Sequence, residues 1–116
     1  MSQPDVPTRL GHMRENAELA LQMAKGKTGA DIEADRMMAL ALERTLEIIG
    51  EAATHVPDDI GVQLSSIPWR QVVGFRNIIV HRYDGLDYDL IANAVNTRLE
   101  PLISALDAYL GSEPRS

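Results

Sequence analysis

The chain has 116 residues, 45% of them hydrophobic and 24% charged, the length and composition of one globular domain rather than two. Eleven Lys and Arg against 17 Asp and Glu give a formal net charge of -6, which argues against a generally basic nucleic-acid coat but leaves room for a local basic site. The absence of cysteine excludes a disulfide framework, a thiolate metal site and a Cys nucleophile.

The first residues carry no basic stretch followed by an apolar run, and nowhere do about 18 apolar residues follow one another, so the expectation is a cytoplasmic protein without a membrane partner. Aromatic residues are confined to Trp69, Phe75, Tyr83, Tyr88 and Tyr109. Ala, Leu, Ile and Met supply the rest of the apolar content, which favours an all-α chain.

From Pro7 to about Lys25, Leu10, Met13, Ala17, Ala20, Leu21 and Ala24 recur at steps of three and four, the stripe of an amphipathic helix. Gly26 to Gly29 ends it. Asp31 is the expected N-cap of a second helix reaching about His55, with Met38, Ala41, Leu42, Thr45, Ile48, Ile49 and Ala52 buried. Its polar side carries Arg36, Glu43, Glu47 and Glu51. A short segment follows from Pro57 to about Leu64. Ser65-Ser66-Ile67-Pro68 reads as a cap with Pro near the first turn, opening a helix from about Pro68 to Arg82 or Tyr83. Asp84-Gly85 breaks it. Asp87 or Asp89 caps a last helix to about Leu110, bearing Leu90, Ile91, Ala94, Leu99, Leu102, Ile103, Leu106 and Leu110, with a kink expected at Pro101. The tail from Gly111 to Ser116 is expected to fray. Met13, Met23, Met37 and Met38 read as core filler. The result is a single domain over residues 1–116, a compact bundle of four main helices plus a short one.

Charge is unevenly spread. Ile60 to Tyr83 holds Arg70, Arg76 and Arg82 and no acid, so this stretch is +3 and the remainder -9. On a wheel of about 100° per residue, Trp69, Val72, Val73, Ile79, Val80 and Tyr83 fall within about 60° of Arg76. An arginine in the middle of an apolar face keeps its charge, so it needs a carboxylate, a wet cleft or an interface. Arg70, Gly74, Asn77 and His81 form a polar edge beside that face, with Gly74 leaving room for close approach.

Arg76, Asn77 and His81 suit RNA scission without a metal or cofactor. The imidazole can move a proton to or from a ribose oxygen, the guanidinium can hold a phosphate and its developing charge, and Asn77 can orient either. The alternative on residue types alone is an ion pair from Arg76 to Glu47 or Glu51, with His81 a polar residue favoured by a helix C-terminus. His12 and His55 have no partner at metal-ligand spacing and read as surface or capping residues. No P-loop, GxGxxG or Ser-centred elbow is present.

The run Arg76-Asn77-Ile78-Ile79-Val80-His81-Arg82-Tyr83 resembles the R-x4-H-x-Y signature of the HEPN superfamily, in particular HepT-like ribonuclease toxins of HEPN/MNT pairs. The resemblance extends through Arg9-Leu10-Gly11-His12-Met13, Leu46-Glu47-Ile48-Ile49-Gly50-Glu51-Ala52, Ile67-Pro68-Trp69-Arg70 and Asp84-Gly85-Leu86-Asp87-Tyr88-Asp89-Leu90. Arg82 stands where a small residue is frequent, at a position the pattern leaves free.

The resemblance implies a HEPN-like homodimer and a metal-independent endoribonuclease, the toxin of a type VII toxin–antitoxin system, with Arg76 and His81 catalytic at a dimer cleft and RNA as substrate. It further implies an MNT-type nucleotidyltransferase antitoxin that neutralises the toxin by AMPylation of Tyr83. Tyr83 lies about 20° from Arg76 on the wheel, so phosphate placed there would compete for the same guanidinium. Otherwise Tyr83 is a helix-end core aromatic. Two other readings stand beside this one: a non-catalytic HEPN subunit binding nucleotide or substrate for a partner nucleotidyltransferase, and a plain helical interaction domain.

Overall fold

A computed structural model describes residues 5–80 and 85–112, and these form six helices with no strand among them. α1 spans Val6–Ala24, α2 Gly29–Ala34, α3 Arg36–Thr54, α4 Asp58–Gln63, α5 Trp69–Val80 and α6 Tyr88–Ser112. The all-α class stands, and the second predicted helix divides in two.

Asp5 caps α1, its Oδ1 accepting from the Thr8 N–H at 2.9 Å. The bonds from Thr8, its side chain first, hold the Asp5 carboxyl below the ordinary carboxylate range. Leu10, Met13, Ala17, Ala20 and Ala24 are buried as their spacing predicts. Gly26, at φ 81°, makes the turn out of α1 in the left-handed region where glycine is unstrained. Its N–H donates to Asn96 Oδ1 at 2.7 Å, while Asn96 Nδ2 donates to the Lys27 and Ala92 carbonyls. One amide of α6 thereby clasps the α1–α2 turn.

Thr28, not Asp31, is the cap of α2. The Asp31 N–H donates to Thr28 Oγ1 at 3.1 Å and the Thr28 N–H donates to Asp31 Oδ2 at 2.9 Å, a reciprocal capping box. These bonds, the backbone one first, lower the Asp31 carboxyl from its ordinary value. Asp35 then interrupts the predicted long helix. Its extended backbone ends α2, and its Oδ1 accepts from the Met38 N–H at 3.1 Å to start α3. A short carboxylate that satisfies a backbone donor favours a new cap over an unbroken helix.

α1 lies against α3 and α6, and α3 also carries α5 on another side; α2 bridges α3 and α6. Packed against α1, α5 and α2, α3 buries a wide arc, including Ala39, Leu42, Thr45, Leu46, Ile49, Gly50, Ala52 and Ala53. This corrects two assignments. Glu43, expected on the polar side, is buried, and Ala41, expected inside, is exposed. Met37 is 82% exposed, so it is no core filler. Met13 is buried, and Met23 and Met38 are partly buried against the core.

α4 is tied to α5 by Trp69, whose Nε1 donates to the Gly61 and Leu64 carbonyls, both at 3.2 Å. α5 starts one residue after Pro68, whose carbonyl accepts from the Val72 N–H at 3.0 Å, so the proline stands at the cap itself. Asp87 caps α6, its Oδ1 accepting from the Asp89 and Leu90 N–H groups. Ile91, Ala94, Leu99, Leu102, Ile103 and Leu106 are buried, whereas Leu90 is 39% exposed. α6 continues through Pro101 without interruption. Pro101 lies on its exposed side, where the carbonyl left without a donor can turn to water. The helix also includes Gly111 and Ser112, two residues of the predicted tail, and residues 113–116 lie outside the described part. Among the described residues no helix is long and apolar enough to cross a membrane.

Candidate active site

Arg76 faces α3. The close approach that makes this possible comes from Gly50: a Cβ there would overlap Arg76 Cβ and stand 2.7 Å from its Cγ and 3.2 Å from its Cα. The arginine stem thus lies on the bare backbone of α3. Gly74, expected to give such room, has no atom within 4 Å of where its Cβ would be.

At the far end of the stem, Arg76 Nη2 pairs with Glu51 Oε2 at 2.9 Å, and Nη1 donates to Asn77 Oδ1 at 3.1 Å. Nε is buried and has no acceptor among the described residues. The Arg76 side chain keeps 29% of its surface exposed and Glu51 keeps 51%, so the pair sits at a wet rim and not in the core. Glu47, the other candidate partner, is taken by Arg44, whose Nη1 reaches Glu47 Oε1 at 2.8 Å. The structure therefore brings together Arg76, Asn77 and Glu51 and leaves Glu47 aside.

His55, read from the sequence as a surface or capping residue, is both, and what that reading missed is its proximity to Glu51. It ends α3 at the C-cap, and its Nε2 lies 3.5 Å from Glu51 Oε1. Glu51 is thereby flanked by a guanidinium on one oxygen and an imidazole on the other. The i, i+4 spacing of Glu51 and His55 was the available signal. Gly50 was missed as well; an isolated glycine inside a helical pattern marks a possible close backbone approach. His12 is exposed on α1. His81 and Tyr83 lie outside the described residues, as do Arg82 and Asp84. Among the described residues no three His, Asp or Glu side chains gather as a metal site would need.

The other side of α5 borders a cavity of about 560 Å³ between α3, α5 and α6. Phe75, Ile78, Leu90 and Leu102 line it; Arg76 and Asn77 do not. Arg98 Nη1 donates to Gln71 Oε1 at 2.6 Å across its edge. Arg70 is exposed at the start of α5, with no ion-pair partner among the described residues.

The Ribonuclease HepT-like family profile matches residues 13–109, which span every element that carries this site. The chain belongs to the HepT-like ribonuclease family. Its relatives agree. "Putative RNase MJ1380" of Methanocaldococcus jannaschii is 35% identical over 91 residues, 78% of this chain and 84% of that protein. "Probable ribonuclease HepT" of Thermococcus cleftensis is 30% identical over 93 residues, 80% and 84% of the two chains. "Putative RNase TTE0752" of Caldanaerobacter subterraneus subsp. tengcongensis is 29% identical over 104 residues, 90% and 93% of the two. No solved structure matches the chain. Membership in this family makes ribonuclease the enzyme class, and Arg76 is the first residue of the R-x4-H-x-Y run within the matched region.

Proposed function

We propose that this HepT-like chain is a metal-independent endoribonuclease and the toxin of a type VII toxin–antitoxin pair. The observation that carries the reading is Arg76, a cation placed at a partly open rim of α5, its stem against α3 and its terminal nitrogens already hydrogen-bonded in a defined orientation. A guanidinium so held can take a phosphodiester and the extra charge of its transition state. His81, five residues on, supplies the proton transfer. The 2′-oxygen of the ribose gives up its proton and bonds to phosphorus, the bond from phosphorus to the 5′-oxygen breaks, and the leaving oxygen takes up a proton. The products are a 2′,3′-cyclic phosphate and a 5′-hydroxyl.

In this reading two copies form a homodimer with their motifs facing one cleft. Ile78, 50% exposed two residues beyond Arg76, and Leu90 across the cavity leave apolar surface that a second copy would cover. The antitoxin is an MNT-type nucleotidyltransferase that transfers AMP from ATP to the Tyr83 hydroxyl, which bonds to the α-phosphorus and loses its proton as pyrophosphate leaves, so that the new phosphate competes with RNA for Arg76.

The test uses the purified, unmodified full chain with total cellular RNA in the presence of EDTA. Cleavage ending in 2′,3′-cyclic phosphate is expected, lost in Arg76→Ala and His81→Ala variants that melt like the parent. Growth arrest on expression alone should be relieved by the same substitutions. Full cleavage by both folded variants would refute the assignment of these residues. No cleavage by the unmodified parent, together with saturable nucleotide binding, would instead identify a non-catalytic subunit. Intact mass after co-expression with the neighbouring nucleotidyltransferase reads AMP on Tyr83.

A further inference from the structure

We infer that Glu51 is a positioning residue for RNA cleavage, holding the Arg76 guanidinium so that its terminal edge is presented to a phosphate. The inference rests on the reading of Arg76 as the phosphate holder and adds to it a residue on a different helix.

Arginine is a flexible side chain, and a guanidinium that swings freely stabilises a transition state poorly, because its ordering must accompany the reaction. Three contacts remove that freedom here. The stem is fixed against the backbone of α3 at Gly50. Nη2 is fixed by Glu51 Oε2, and Nη1 by Asn77 Oδ1. Because Nε is buried, an incoming phosphate cannot use the fork formed by Nε and one terminal nitrogen. It must approach the edge formed by Nη1 and Nη2. Each of these carries two hydrogens, so among the described residues one on each remains after the bonds to Glu51 and Asn77 are made. These terminal N–H groups are donors of the kind that phosphate oxygens accept.

A carboxylate beside a phosphate site could instead act as a competitor that blocks Arg76. The geometry favours positioning. Glu51 occupies one nitrogen only, at a rim where solvent moderates the attraction between the charges. Its second oxygen lies 3.5 Å from His55 Nε2. The acid therefore orients the guanidinium without capping it.

The two roles predict opposite kinetics. Single-turnover and steady-state cleavage of total cellular RNA by the full-length protein should be compared for the parent, Glu51→Ala, Glu51→Gln, Arg76→Ala and the pair Arg76→Lys with and without Glu51→Ala. Melting curves should accompany each. For positioning, Glu51→Ala lowers kcat by about 100-fold, the loss typical of a catalytic group misplaced by about 1 Å, while KM does not rise, since a negative charge has been removed from beside a polyanion. Glu51→Gln, which keeps the length and an acceptor oxygen, recovers most of the loss. In the Arg76→Lys background, where the fork is gone, Glu51→Ala costs only about threefold or less, the non-additivity of residues that act as a unit. Unchanged or increased kcat in folded Glu51→Ala, a kcat above the parent's in Glu51→Gln, or the full loss repeated in the Arg76→Lys background, would overturn the assignment. If Glu51→Ala does not fold, the Gln variant and the KM against kcat split decide it. Wild-type activity in Arg76→Ala would overturn the reading of Arg76 itself, and an inactive Arg76→Ala beside a fully active, folded Glu51→Ala would overturn the role of Glu51 alone.

Discussion

Replacing Gly50 by alanine places a methyl group where the stem of Arg76 now lies. The new Cβ would overlap Arg76 Cβ and stand 2.7 Å from Cγ and 3.2 Å from Cα, against the 3.5–4.0 Å at which carbon atoms rest, so α5 must withdraw by roughly 1.5 Å. The obstruction includes backbone and not only the end of a flexible side chain, which places the overpacking cost near the top of the usual range, about 3 kcal/mol. Alanine is the better helix former by about 1 kcal/mol, leaving a net destabilisation of about 2 kcal/mol. For a domain of this size each kcal/mol moves the melting temperature by about 4 °C, so a fall of about 8 °C is expected. Gly11 supplies the control, since it lies within α1 and a methyl group added there would meet no atom within 4 Å; Gly11→Ala should raise stability by about 0.5–1 kcal/mol. Thermal and urea unfolding followed by circular dichroism measure both. A Gly50→Ala protein as stable as the Gly11→Ala control would refute the close apposition of α3 and α5 and, with it, the seat described for Arg76.

The Asp31 carboxyl is held below its ordinary value by the Thr28 bonds, so its contribution is present above the unfolded-state value and lost as pH falls through the folded-state one. The stability gap between parent and Asp31→Asn, measured by urea unfolding, should be present at neutral pH and shrink as the pH falls below the ordinary carboxylate value of about 3.9; a gap that widens on acidification would contradict the capping box. Arg14 Nε lies 2.8 Å from Asp107 Oδ1 and joins α1 to α6 at a half-exposed site, so Asp107→Asn should cost less than about 1 kcal/mol. That loss should shrink further as salt is added, and a salt-independent effect would point to a packing role instead.

How much of this was legible in the chain depends on whether a neighbour decides the outcome. The stripe of α1 was readable because Leu10, Met13, Ala17, Ala20 and Ala24 repeat at helical spacing and face one continuous core. The orientation of Arg76 was readable for the same reason, since its flanking residues leave it the centre of the apolar arc of α5. The division at Asp35 was not, because a carboxylate on the polar side of a helix and one that caps a new helix look alike until the backbone turns. Nor could the sequence choose between Glu47 and Glu51. The two lie one turn apart on the same helix, and the choice depends on Arg44 engaging the first and on Gly50 drawing α5 down beside the second. Leu90 and Met37 were assigned inward by their type, yet α5 stands clear of much of α6 and the outer side of α3 has no covering helix among the described residues.

An ion pair and a catalytic role for Arg76 were posed by the sequence as rival accounts, and the structure removes the opposition. Were the pair sealed in the core, Arg76 and Glu51 would each have lost hydration, and a well-packed apolar substitute would serve as well or better. Instead Glu51 is half exposed and Arg76 nearly a third exposed, so neither charge needs the other in order to be tolerated. What the pair does is restrict the guanidinium, at a position reached only because α3 has no side chain at residue 50. A helix interior gains stability from alanine, so a glycine there is a cost to α3 that its own fold does not explain. The gain appears on α5, where the arginine that opens the R-x4-H-x-Y run is held close, oriented and still open to solvent.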